Sequence, residues 1–133
     1  MKLLDTSVLI DLDKGGPEVA KKASVLDRSG PHALSAVTLF EFLFGIHLKY
    51  EDEGLAEVVC DVEDFLSAFV VLPLDQEAAK LAAQMAARLR RSGEEIGIQD
   101  VYLAATAIRN NLPLLTGNPR HFERIPGLRV EKW

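Results

Sequence analysis

The sequence has very little cysteine and no long hydrophobic run. Cys60 is the single cysteine of the 133 residues, so no disulfide can form within the chain. Because it follows two valines in a helical pattern, we expect Cys60 to be a small buried hydrophobe. No stretch reaches the roughly 18 apolar residues that a membrane-spanning helix needs. Asp5, Asp11 and Asp13 interrupt the apolar start and no small-residue cleavage site follows, which argues against a signal peptide. We therefore expect a cytoplasmic protein without membrane contact.

Positive charge is also in deficit. The chain has 15 Lys and Arg residues against 20 Asp and Glu residues, a formal net charge of −5. This balance argues against a protein that binds polyanions by overall attraction, although a local basic strip remains compatible with it. The 48% apolar and 26% charged content is ordinary for a globular protein and argues against disorder. There is no linker, repeat or low-complexity stretch, so residues 1–133 are expected to form one domain.

Two hydrophobic periods alternate along the chain. Short apolar runs predict four strands, over residues 2–4, 32–34, 69–72 and 112–116. Apolar residues at helical spacing predict helices over 6–13, from Pro17, from a Ser35 cap toward Tyr50, over 53–68, from an Asp75 cap to Arg91, and over 98–110. Because helices separate the strands, the pattern predicts an α/β protein with a mostly parallel sheet covered on both faces.

Two carboxylates lie at predicted boundaries where a structural and a functional role are both possible. Asp5 follows the first strand, where it could cap the next helix or could face the crevice in which α/β proteins bind ligands. Asp100 lies in the first turn of its helix, where a negative charge gains about 0.3–1 kcal/mol from the helix dipole. Its stripe also contains Leu103 and Ala107, which places Asp100 along the core-facing edge.

Glu41 lies in the most apolar helix. Between Ala36 and Ile46 the only polar side chains are Thr38 and Glu41. A capping box from Thr38 to Glu41 is one explanation, although Ser35 is the more natural cap. An unpaired buried carboxylate costs roughly several kcal/mol or loses its charge. A partner cation is therefore the other explanation.

The three acidic residues together are more specific than any one of them. If Asp5, Glu41 and Asp100 reach a common point at the carboxyl edge of the sheet, a divalent cation can offset their mutual repulsion. The neighbouring donors are oxygens, and no Cys–His spacing suits zinc. Hard oxygen ligands favour Mg²⁺ or Mn²⁺, and such sites catalyse phosphodiester hydrolysis.

Four segments resemble, in order and spacing, the motifs of PIN domains. They read LDTSVLID from Leu4, SAVTLFE from Ser35, GIQDVYLAATA from Gly97 and LLTGN from Leu114, and His121 and Phe122 follow the last of them. The resemblance extends over essentially the whole chain. It implies a PIN-like (RNase-like) three-layer α/β/α fold with a short central sheet.

The resemblance also implies roles for individual residues. Three carboxylates would hold Mg²⁺ or Mn²⁺ and activate water: Asp5, Glu41 and Asp100. Either Thr6 or Ser7, together with Thr116, would supply hydroxyls to bound water or phosphate. The fourth acidic position often carries Asp in this family, whereas here it is Asn118, whose amide oxygen can ligate but brings no charge. A plain turn before Pro119 is the alternative role of the segment around Asn118.

Within the family, the chain is similar to VapC-like ribonucleases, the toxins of toxin–antitoxin pairs. This similarity implies an RNA substrate, a VapB-like antitoxin that blocks the site, and a homodimer. The apolar stretch from Phe40 to Ile46 suits a dimer, but a fully buried helix within the monomer explains it equally well. Two basic clusters could contact RNA or could be solvated helix ends: Arg88, Arg90 and Arg91, and Arg120, His121 and Arg124.

Two other functions compete with this interpretation. A PIN-like module that binds RNA or a protein without cleaving is favoured by Asn118, because the amide weakens the acidic site. A receiver-like signalling domain also gathers acidic residues at strand ends, but it needs a phosphoacceptor Asp ending a middle strand and a Lys ending a late one. Here the strand over 69–72 stops at Pro73 and the strand over 112–116 ends in Thr116. The receiver-like function is therefore disfavoured.

Overall fold

The structure, a computed structural model, describes residues 1–50 and 52–133, with only the backbone for residues 52 and 53. Within these residues the strands are β1 Leu3–Leu4, β2 His32–Ser35, β3 Phe69–Leu72, β4 Leu114–Thr116 and β5 Val130–Lys132. The helices are α1 Thr6–Lys14, α2 Pro17–Asp27, α3 Ala36–Lys49, α4 Asp52–Leu66, α5 Gln76–Arg91 and α6 Ile98–Arg109. A single 3₁₀ turn covers Pro119–His121.

The strands form one parallel sheet in the order β3-β2-β1-β4-β5. The predicted mostly parallel sheet is therefore confirmed. The order reverses beside β1, since the chain first adds strands on one side of β1 and then places β4 on its other side. In such sheets the crevice at the carboxyl end of the reversal point is where ligands bind. Here that point lies between the ends of β1 and β4.

The alternation of side chains along the strands produces the three layers. Leu3 on β1 packs with Leu114 on β4 against α5 and α6. The next residue in each strand, Leu4 and Leu115, packs on the opposite face against α1, α3 and α4. Leu3, Leu4 and Leu114 are fully buried, and burying one such side chain contributes about 1.5–3 kcal/mol. Both faces of the sheet are thus covered, as the helix–strand alternation predicts.

The described elements differ from the predicted ones mainly at their ends. β4 begins at Leu114 rather than at residue 112. The Leu112 N–H donates to the carbonyl of Ala107 at the end of α6, and Pro113 has no N–H, so neither residue can donate to a neighbouring strand. A fifth strand, β5, pairs with β4 from Leu114↔Val130 onward. No helix in the described residues is long and apolar enough to cross a bilayer.

The prediction that Cys60 is buried is wrong: its side chain is exposed. On α4 the buried residues are Val62 and Leu66, which face the core beside α3. Cys60 precedes Val62 by two residues, or about 200° around a helix of 3.6 residues per turn, so it lies on the opposite face.

The alternative in which α3 is fully buried within the monomer is also wrong. Phe42 is 4% exposed and packs in the core, whereas Phe40 is 62% exposed and Phe44 is 53% exposed. These two rings stack on each other with centroids 5.8 Å apart, and Leu48 extends the same exposed face one turn further. One face of α3 therefore presents apolar side chains to solvent.

Candidate active site

Asp5 occupies the point where β1 ends and α1 begins. One carboxylate oxygen caps α1 by accepting the N–H of Thr6 at 2.7 Å. The other accepts the hydroxyl of Thr116 at 2.6 Å and that of Ser7 at 3.2 Å. The structural and the functional roles predicted for Asp5 are therefore compatible: the residue caps a helix and also lies in the crevice between β1 and β4.

Thr116 connects β4 to this site. Its side chain is fully buried, and its hydroxyl oxygen accepts the N–H of Asn118 at 3.0 Å while donating to Asp5. The Gly117 N–H donates to the Ser7 hydroxyl at 3.2 Å, and a Cβ on Gly117 would lie only 3.3 Å from that oxygen. Among the described residues, the Asn118 side chain forms no hydrogen bond and is not joined to the acidic residues.

Glu41 approaches the site from α3, which packs on α1. The half-buried carboxylate accepts the Thr6 hydroxyl at 2.5 Å. Ser35 caps α3 instead, accepting the N–H of Thr38 at 2.9 Å, so the capping-box explanation for Glu41 is wrong. Thr6 lies between the two acidic residues in the hydrogen-bond network, since its N–H binds Asp5 and its hydroxyl binds Glu41.

Asp100, in the first turn of α6, interacts with Asp5 through its charge. Burial raises the pKa of Asp100 above its ordinary value, and the Asp5 carboxylate raises it further. His121 opposes this shift, because its Nδ1 lies 3.4 Å from the Asp100 carboxylate. A carboxyl group that resists ionisation next to another carboxylate is characteristic of a site that a cation would complete.

We expect Asp100→Asn to stabilise the metal-free protein. Because the folded protein holds the Asp100 proton more tightly than the unfolded chain does, stability falls as the pH rises from the ordinary pKa of 3.8 through the raised pKa. In chelator at about pH 7 the variant should melt on the order of a few °C above wild type. The difference in melting temperature between the variant and wild type should become smaller as the pH is lowered towards about 4. Asp61→Asn, at an exposed position on α4, is the control. Equal or lower melting temperatures for Asp100→Asn would contradict the expectation.

The acidic residues fit a hard divalent cation only in part. The donors around Asp5 are carboxylate and hydroxyl oxygens, and the repulsion between Asp5 and Asp100 is what a cation would relieve. However, no group of three or more His, Cys, Asp or Glu side chains in the described residues has an arrangement that could hold a metal ion. The predicted set of three carboxylate ligands is therefore not assembled in this structure, in which Glu41 binds the Thr6 hydroxyl.

Comparison with known proteins gives the family. A sequence profile of the PIN domain matches residues 2–128. The chain belongs to the PIN-domain family. The resemblance drawn from the four motifs is thereby confirmed, and so is the predicted α/β/α fold.

The relatives of this PIN domain match it over nearly their whole length. It is 36% identical over 131 residues to the tRNA(fMet)-specific endonuclease VapC of Salmonella typhimurium, covering 98% of this chain and 96% of that protein. It is 33% identical to the ribonuclease VapC of Rickettsia bellii, with 96% and 92% covered. Among solved structures, DNA-bound VapBC from Salmonella typhimurium aligns over 100% of this chain and 99% of that chain at 34% identity, with a TM-score of 0.84.

The basic residues predicted to contact RNA lie on α5 and on the segment after β4, and Arg88 and Arg124 line one cavity together. Arg88 and Arg91 lie on the exposed side of α5 near its end. Arg120 and His121 lie with Asp100 around one cavity. The contact between His121 and Asp100 could not be predicted, because they are 21 positions apart and no periodic pattern joins the 3₁₀ turn to α6. The only signal was that His121 follows the fourth motif.

Proposed function

We propose that this PIN domain is an endoribonuclease that depends on Mg²⁺ or Mn²⁺ and acts as the toxin of a toxin–antitoxin pair. Its relatives over the whole chain bear the names ribonuclease and endonuclease. The observation that carries the proposal is the interaction of Asp5, at the reversal point of the sheet, with Asp100, whose pKa is raised by burial and by the Asp5 carboxylate. Without a cation the two carboxyl groups repel each other, and with a cation they can support phosphodiester hydrolysis.

The proposal assigns a different role to each residue of the site. Asp5 and Asp100 would hold the cation, and Glu41 would join them once it exchanges the Thr6 hydroxyl for the cation. When bound, such a cation supplies charge neutralisation and the activation of water for phosphodiester hydrolysis. Thr116 and Ser7 fix the Asp5 carboxylate by donating hydrogen bonds to one oxygen, which holds that oxygen in place. Asn118 would meet water or the substrate through its amide.

The proposed toxin role rests on the complexes in which related proteins are found. DNA-bound VapBC from Salmonella typhimurium and a toxin–antitoxin complex from Klebsiella pneumoniae both align with this chain, the second at 25% identity and a TM-score of 0.71. We propose a VapB-like antitoxin that blocks the acidic site. We also propose that the exposed face of α3 formed by Phe40, Phe44 and Leu48 is covered in a homodimer, because apolar side chains in a row favour burial against another surface.

A second candidate function is a module that binds RNA without cleaving it. Two observations favour it: the side chain of Asn118 brings no charge to the site, and Glu41 is bound to the Thr6 hydroxyl. The two functions differ in one measurable respect, since only the nuclease converts bound RNA to shorter products.

Removal of divalent metal is expected to abolish cleavage. Purified protein incubated with structured RNA should produce fragments in Mg²⁺ and in Mn²⁺, produce none in excess chelator, and recover when metal is restored, because the acidic residues need a counter-charge. Gel analysis of end-labelled RNA gives the readout. In parallel, the melting temperature should rise when metal is added, since a ligand that binds only the folded state stabilises it.

Two results would count against the nuclease. Fragments that form equally in chelator would point to a metal-independent activity. RNA that is retained in a binding assay but stays intact in both metals would favour the non-catalytic module.

A further inference from the structure

The segment after β4 carries basic side chains on a rigid support. Phe122 and Ile125 are 1% and 4% exposed and pack in the core against α5 and α6. Arg120, His121 and Arg124, together with the acidic Glu123, lie before and between these anchors and are exposed. Two buried anchors therefore hold three basic side chains on the outer side of this segment. Such groups can bind a ligand without first ordering a mobile loop.

These three side chains line a cavity that includes Asp100. The cavity has a volume of about 420 Å³, and its other walls are Ile96 and Gly97, just before α6, together with Glu95. Asp100 belongs both to this cavity and to the acidic site, because its carboxyl interacts with that of Asp5. A molecule in the cavity is therefore next to the candidate active site.

The cavity is lined by two arginines and two carboxylates, and each carboxylate contacts another basic side chain. Glu95 is neutralised from outside by Arg90, whose Nε donates to it at 2.7 Å. The Nδ1 of His121 lies 3.4 Å from the Asp100 carboxylate. In the part of the chain that the structure describes, neither Arg120 nor Arg124 forms an ion pair with a carboxylate. Two guanidinium groups are thus available to an anion.

We propose that Arg120 and Arg124 form a phosphate-binding subsite that holds the backbone of a single-stranded RNA beside the acidic site. The inference rests on the proposed nuclease function, because the shared Asp100 wall is what makes the anion a part of the substrate. Arginine binds phosphate oxygens through parallel N–H groups, and such backbone contacts position a strand without reading its sequence. The volume lies within the roughly 300–1,000 Å³ of small-ligand pockets, which is enough for one segment of a strand.

The experiment is a binding measurement that does not depend on cleavage. Fluorescein-labelled oligouridine is titrated with protein in excess chelator, and anisotropy gives Kd at a series of salt concentrations. For single strands each phosphate contact contributes about 0.7 to the slope of log K against log salt. The double variant Arg120→Gln/Arg124→Gln should therefore lower the magnitude of that slope by about 1.4 and weaken binding roughly tenfold or more near 0.1 M salt.

The matched control is Lys21→Gln/Arg28→Gln, which also removes two positive charges but from exposed positions on and after α2. It should leave Kd and the slope close to wild type. The single variants Arg120→Gln and Arg124→Gln should each lower the magnitude of the slope by about half as much as the double variant does. They provide the test if the double variant does not fold.

Three outcomes would overturn the subsite: no measurable binding by wild type, equal binding by wild type and the double variant, or equal weakening in the control pair. Failure of the nuclease proposal would give a different experimental result. In that case metal gives no RNA fragments, while the binding difference between the double variant and its control persists.

Discussion

Asp5→Asn is expected to lower metal-dependent RNA cleavage by roughly 10³-fold. The change removes the charge of the carboxylate that interacts with Asp100 and accepts the hydroxyls of Ser7 and Thr116. The fold should survive, because asparagine caps a helix about as well as aspartate and can still accept the Thr6 N–H. Initial rates on end-labelled RNA in Mn²⁺, with melting curves of both proteins, measure the two expectations.

Asp13→Asn is the control for this variant, since it makes the same chemical change on the same helix at an exposed position. It should cleave at the wild-type rate. If Asp5→Asn retained most of the activity, the cap would be the whole role of Asp5. If it instead lost activity together with a large drop in melting temperature, the loss would report on folding rather than chemistry.

The layers of the fold could be predicted from the sequence, but the neighbours in the sheet could not. Leu3 and Leu4 show why: an all-apolar strand indicates burial on both faces without saying which strands lie beside it. The position of β4 next to β1 follows from packing of α5 and α6 on one face. Similarly, two of the three residues of β5 are charged, so its sequence does not indicate a buried strand. It forms because the edge of β4 offers it backbone hydrogen-bond partners.

The sequence predicts that Asp5, Glu41 and Asp100 lie at one edge of the sheet, but not which hydrogen bonds connect them. Asp5 and Asp100 were identified because each stands at an element boundary, and the structure brings their charges into interaction. The Thr6–Glu41 hydrogen bond was not predicted, since it joins residues 35 positions apart through the packing of α1 on α3. Contacts between elements depend on how helices settle on the sheet, and a periodic pattern carries no such information.

Glu41→Gln is expected to lower cleavage by about 10²-fold while the metal-free protein stays as stable as wild type or becomes more stable. Glutamine keeps a carbonyl oxygen that can accept the Thr6 hydroxyl, so the link between α1 and α3 is retained. It removes a negative charge from a half-buried position, and in chelator no cation is present to offset that charge. Cleavage rates in Mn²⁺ and melting temperatures in chelator test the two parts separately.

Glu63→Gln on α4 makes the same change on an exposed surface and should alter neither quantity. The direction of the melting temperature then decides what Glu41 does. A metal-free Glu41→Gln protein that melts far below wild type would show that the carboxylate is part of the scaffold, held for the Thr6 hydroxyl alone. A protein that melts at or above wild type and cleaves poorly would show that the charge is retained for the cation, because it then contributes to activity and costs stability in the absence of metal.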